Sequence, residues 1–136
     1  MANEVVAHYL DGRIVKGTCL DIDAARPTCH VKTGEQGMVQ VMLAQLKALF
    51  FVRTLGGNPG YEEVKTVDTS DARARGAAPI ELQFADGERV VGLTTRFPPV
   101  RRFFYVLPAD ANSNNVRILV NRSAVQSLGQ PAVAMG

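Results

Sequence analysis

Cysteine and histidine are scarce in this sequence, charge of either sign is nearly balanced, and no long hydrophobic run interrupts it. Two cysteines and two histidines occur among 136 residues. Cys19 and Cys29 have no third or fourth ligand at metal spacing, so they make a poor zinc site. They read as reduced thiols, small buried hydrophobes on neighbouring strands. No apolar run approaches the ~20 residues of a membrane-spanning helix. The start, Met1-Ala2-Asn3-Glu4-Val5-Val6, lacks the basic and apolar regions of a signal peptide. The expectation is a cytoplasmic protein without a membrane partner. A net charge of +2 is too small to mark a nucleic-acid or membrane binder. Charge is also unsegregated, at +1, −1 and +2 over residues 1–54, 55–78 and 79–136.

Constellations that carry chemistry are equally sparse. His30 adjoins Cys29, but no Asn or Asp can be assigned to orient a Cys-His nucleophile. Asp21 and Asp23 sit beside a turn, where paired acids are usually solvated rather than engaged in acid–base work. No Gly-rich phosphate loop opens a helix. The reading is no enzyme, no catalytic residue, no metal and no cofactor.

What is present is a repeat. Shifted by 75 positions, Val5-Val6-Ala7-His8-Tyr9-Leu10-Asp11-Gly12 falls on Ile80-Glu81-Leu82-Gln83-Phe84-Ala85-Asp86-Gly87. Gly17 then falls on Gly92, Arg26 on Arg101 and Val31 on Val106, without a gap. Further on, Gly34-Glu35-Gln36-Gly37 must stretch to meet Asp110 to Asn115. Turns between strands tolerate such changes of length.

Each copy reads as a series of short strands. Val5 to Leu10 alternates and ends in Asp11-Gly12, a hairpin signal. Arg13 to Asp21 follows, and Gly17 within it suits a bend or a close backbone approach. Thr28 to Lys32, Val39 to Leu43 and Leu49 to Arg53 complete the set, with a helical turn expected at residues 44–47. The second copy repeats the pattern at Ile80–Phe84, Arg89–Phe97, Arg102–Leu107, Val116–Val120 and Ser123–Leu128. The fold class is therefore all-β, with two small antiparallel barrels of about five strands each. Closure removes exposed strand edges. The expected domains are 1–54 and 79–129, with a loop and linker at 55–78 and a frayed tail at 130–136.

The aromatic runs Phe50-Phe51 and Phe103-Phe104-Tyr105 lie within strands. Adjacent strand residues face opposite sides, so some rings must point away from their own core. These five residues are the expected contacts with the other copy, the linker or a partner. Arg96, Arg101 and Arg102 flank Phe97-Pro98-Pro99-Val100, and arginine forks bind phosphates and carboxylates. With Asn112, Asn114 and Asn115 in a turn expected to face them, they form a candidate site for a small anionic ligand of nucleotide type.

Leu10-Asp11-Gly12-Arg13, then Gly17, then Leu20-Asp21-Ile22-Asp23 resembles the first signature of Sm-like barrels. Lys47-Ala48-Leu49-Phe50-Phe51-Val52, Gly57-Asn58-Pro59, Pro108-Ala109-Asp110 and Ser113-Asn114-Asn115 make most of the chain similar to a bacterial family of tandem Sm-like or SH3-like proteins. That family has no function to carry over. The resemblance implies the barrel. It does not supply the Sm RNA site, which uses an Asp and an Asn after the second strand and a later Arg-Gly. Here the turn reads Asp23-Ala24-Ala25-Arg26 and the later segment Val41-Met42-Leu43-Ala44-Gln45. Sm-like barrels also pair through their edges, which implies a possible homo-oligomer. The functional expectation is a non-catalytic adaptor that presents a β surface to a protein partner in a bacterial regulatory or signalling assembly. The alternative is a nucleotide-type or RNA binder using the arginines of the second copy.

Overall fold

Strand alternation and paired Asp-Gly turns produce a chain built almost entirely from antiparallel strands. The structure, a computed structural model, describes residues 3–57, 59–68, 70–131 and 133–134. The first five strands are β1 (Asn3–Tyr9), β2 (Ile14–Cys19), β3 (Thr28–Thr33), β4 (Gly37–Met42) and β5 (Leu46–Val52). A two-residue β6 (Val67–Asp68) follows. Then come β7 (Ala78–Phe84), β8 (Arg89–Thr94), β9 (Phe103–Pro108), β10 (Asn115–Asn121), β11 (Val125–Gly129) and β12 (Val133–Ala134). One-turn 3-10 segments at Leu43–Gln45 and Arg122–Ala124 precede β5 and β11. Among the described residues no helix is long and apolar enough to cross a membrane.

The halves correspond in register as well as sequence. In the first, Tyr9 pairs with Leu46 and Ala7 with Leu49. In the second, Phe84 pairs with Val125 and Leu82 with Leu128. Each half has the strand order 5-1-2-3-4, counting from its own first strand. Gly17 and Gly92 mark the same close approach. A Cβ at Gly17 would lie 2.2 Å from the Lys32 carbonyl oxygen, and one at Gly92 would lie 2.1 Å from that of Leu107.

Two separately closed barrels were expected, but the hydrogen-bonded strands form one open ten-stranded sheet in the order β11-β7-β8-β9-β10-β5-β1-β2-β3-β4. The strand that unites the halves is β5, which pairs with β1 on one side and with β10 on the other. Its two edges pair with different neighbours and its two faces enter different cores, so all seven of its residues are buried. Leu46, Leu49 and Phe51 enter a core with Val5, Ala7, Val31 and Val41. Ala48, Phe50 and Val52 enter a second core with Ile80, Leu82, Phe84 and Val106. Burying such rings stabilises the junction by about 1.5–3 kcal/mol each.

The segment expected to be a plain linker is docked on the second half. Val67 is buried against Val91 and Leu93. The Arg73 guanidinium donates to the carbonyls of Pro108 and Ala109, both at 3.0 Å, and Tyr61 donates its hydroxyl to Asp110. The Tyr61 hydroxyl, with the Val64 N–H at 2.9 Å, holds the Asp110 carboxyl below its ordinary range. Part of the expected tail is also ordered, since β12 pairs in parallel with β6. Residues 132, 135 and 136 of that tail lie outside the described residues.

Candidate functional site

Beyond Gly92 the second half opens. Ladder pairing of β8 with β9 covers Gly92–Pro108 and Leu93–Leu107 and then stops. Thr94 replaces the ladder with its hydroxyl, which donates to the Tyr105 carbonyl at 3.0 Å. The chain leaves through residues 95–102, which include a cis Phe97–Pro98 bond, and returns at Phe103. β8 thus ends three residues short of the expected Phe97. The parted strands enclose a cleft of about 650 Å³, with Arg96, Val100 and Arg101 lining it beside Phe103, Phe104 and Tyr105. Ala24 from the first half also lines the cleft.

Of the expected ligand-binding residues, Arg96 and Arg101 reach this cleft, and both are exposed. Arg102 is placed over the Phe103 ring at 5.3 Å, and its Nε donates to Asn121 at 3.4 Å. The asparagines lie elsewhere. Asn112, Asn114 and Asn115 follow β9, whereas the arginines precede it, and a six-residue strand separates the two turns by about 20 Å. The structure does not bring them together. Asn114 is engaged instead with Thr54, accepting from its N–H at 3.1 Å and donating to its carbonyl at 3.1 Å. Asn112 N–H donates to Asp110 at 2.8 Å, and Asn115 N–H to the Ser113 hydroxyl at 3.0 Å.

The aromatic residues divide between the cores. Phe50, from the first half, and Phe104 belong to the second core. Phe51 belongs to the first core, and Phe103 and Tyr105, from the second half, pack against it. Arg117 lies over both Phe51 and Tyr105, at 4.2 and 4.8 Å.

The matching region of the first half is closed by its own side chains. Strand alternation turns Cys29 into the core and His30 outward, so the two do not act as a pair. Asp21 instead spans His30, accepting from its backbone N–H at 2.8 Å and lying 2.7 Å from Nδ1. These two hydrogen bonds bring the Asp21 carboxyl down to about 2. Burial drives the Cys29 thiol up to about 12, which suits a core residue rather than a nucleophile. Among the described residues no three of His, Cys, Asp or Glu converge as metal ligands. The inter-half cluster of Lys47 with Asp86 and Glu88 escaped the sequence reading. Nothing local to Lys47 announces partners 39 and 41 positions away.

These features describe an all-β protein with two corresponding halves fused into one sheet and an arginine-rimmed cleft in the second half. The chain belongs to a family of unknown function, DUF6982, whose model matches residues 1–130. No curated protein and no solved structure matches it.

Proposed function

We propose that this chain is a non-catalytic binding module, a tandem pair of Sm-like or SH3-like units that presents its β surface to a protein partner in a bacterial cytoplasmic assembly of regulatory or signalling type. The observation that carries the reading is the pair of open edges at the ends of the sheet, β4 and β11. Unpaired edge backbone recruits further strands, and β4 flanks its edge with Met38 and Met42, which are 63% and 47% exposed. Support for the tandem reading comes from the shared strand order and from the matched glycines. The test is calorimetric titration of the purified chain with a purified partner recovered by affinity capture. Replacing Met38 and Met42 together by Asp is expected to weaken binding about tenfold or more without altering the fold, since two desolvated apolar contacts are lost. Turnover of a substrate lost on replacing His30 or Cys29 would overturn the reading.

A specific observation also favours self-association. At the internal junction Ile118 pairs with Phe50 and Leu119 with Leu49. The register places the corresponding residues, Val39 and Gln40 of β4 and Gly129 and Leu128 of β11, on the two open edges. Gly129 and Gln130 there replace Phe50 and Phe51, so an intermolecular copy of the junction is the weaker one. Light scattering across a concentration series is expected to show a rise in mass, and a strict monomer removes this reading. Binding of RNA or a nucleotide through the arginines of the second half is the alternative. RNA binding would give an affinity falling steeply with salt, and a nucleotide a thermal shift growing with its concentration.

A further inference from the structure

The two halves differ most in charge at one matched position. After β2, Asp21 turns back and takes the His30 backbone N–H at 2.8 Å. Its counterpart 75 positions on is Arg96, and the counterpart of His30 is Tyr105. The correspondence is structural as well. Gly17 contacts Val31 and Lys32 as Gly92 contacts Val106 and Leu107. His30 pairs with Gln40 as Tyr105 pairs with Leu119.

A strand residue points its N–H and C=O to the same side. The Tyr105 carbonyl accepts from Thr94 of β8, so the Tyr105 N–H also faces β8 and the cleft. The β8–β9 ladder has already ended at Leu93–Leu107, and among the described residues no loop or side-chain acceptor reaches the Tyr105 N–H. The carboxylate that occupies this place in the first half is missing from the second. In its stead stand Arg96 and Arg101, which have no carboxylate partner among the described residues. Beside them Val100 is 75% exposed.

We propose that the cleft between β8 and β9 receives a carboxylate from outside, on an acidic extended segment of the partner protein, with the Tyr105 N–H, Arg96 and Arg101 as its donors. This rests on the protein-binding reading and names the chemistry of the partner. A carboxylate accepts both backbone N–H and guanidinium donors, and its charge strengthens each bond. An apolar side chain two residues along the same segment lies on the same face, where it covers Val100. A nucleobase is the poorer fit, because guanidinium groups already lie over the Phe103 and Tyr105 rings.

The test is an NMR titration of the ¹⁵N-labelled full chain with acetyl-Asp-Ala-Leu-amide and with its Asn counterpart. The Tyr105 amide is expected to shift and saturate with the Asp peptide, with affinity about tenfold above that for the Asn peptide. Arg96→Asp restores the carboxylate of the first half. It should displace the Tyr105 amide resonance without peptide and abolish the response to peptide. Equal binding of the Asp and Asn peptides, a stationary Tyr105 amide, or undiminished binding by Arg96→Asp would each overturn the proposal. So would a response to guanosine monophosphate at lower concentration than to the Asp peptide. Because the titration needs no partner, its outcome is separable from that of the adaptor reading. A partner that binds Arg96→Asp as well as wild type removes the cleft and leaves the adaptor standing.

Discussion

Lys47 of the first half places its Nζ 2.7 Å from the Asp86 carboxylate of the second, and Glu88 takes the same ammonium. The lysine is 4% exposed, and its ammonium also lies 4.7 Å from the centre of the Phe84 ring. The two acids keep roughly half their surface in water, and Lys47 draws the Asp86 carboxyl below its ordinary value. The desolvation cost therefore falls on the lysine. Removing its partners leaves a buried charge uncompensated, whereas removing the lysine leaves two acids that water can solvate.

This asymmetry gives the first prediction. The double replacement of Asp86 by Asn and Glu88 by Gln is expected to lower unfolding free energy by about 1–3 kcal/mol. Lys47→Met is expected to change it by less than about 1 kcal/mol. Urea denaturation of the three proteins checks the order, and a larger loss from Lys47→Met would show that the pair holds the junction by attraction.

The matched glycines give the second. Gly17→Ala and Gly92→Ala each drive a methyl into a neighbouring strand carbonyl, and backbone cannot give way as a flexible side chain can. Each is expected to destabilise by about 1–3 kcal/mol, and the two losses should be similar. Gly34→Ala, with open space around its Cβ position, serves as the control that loses little.

A third prediction concerns acid. The Asp21 carboxyl titrates at about 2 in the folded chain against 3.8 ordinarily, held down by the His30 ring and backbone N–H. A depressed folded value means that its contribution is present above the unfolded value. It is lost as pH falls through the folded one. The stability gap between wild type and Asp21→Asn should therefore be widest near neutral pH and shrink between about pH 4 and pH 2. Urea midpoints across that range test it, and a gap independent of pH would contradict the assignment.

Much of the fold is legible where the physics is local. Asp11-Gly12 and Asp86-Gly87 announce hairpins, and both glycines adopt the positive φ those turns need, 92° and 97°. The gap-free match of Val5–Val31 with Ile80–Val106 carries over into matched register. Pairing of β5 with β10 is not legible, because any two apolar strands offer similar ladders. The double aromatic at Phe50-Phe51 signals that both faces of that strand are covered without saying by what. Docking of Val67 depends on a lone apolar residue in polar surroundings, which leaves no periodic signal. The separation of Arg96 and Arg101 from Asn112 and Asn114 could have been foreseen, since one strand, Phe103–Pro108, lies between them and strands hold their ends apart. The open place at the Tyr105 N–H shows only when both halves are superposed in three dimensions, since Asp21 and Arg96 share no chemistry.

The union of the two halves depends on β5 lying inside one continuous sheet, and amide hydrogen exchange tests that placement most directly. The Leu49 and Phe51 amides, which point at β10, are expected to exchange as slowly as global unfolding allows, with Gln40 on the open β4 edge orders of magnitude faster. Exchange at Leu49 and Phe51 as fast as at Gln40 would mean that β10 does not cover β5 and that the halves are separate bodies.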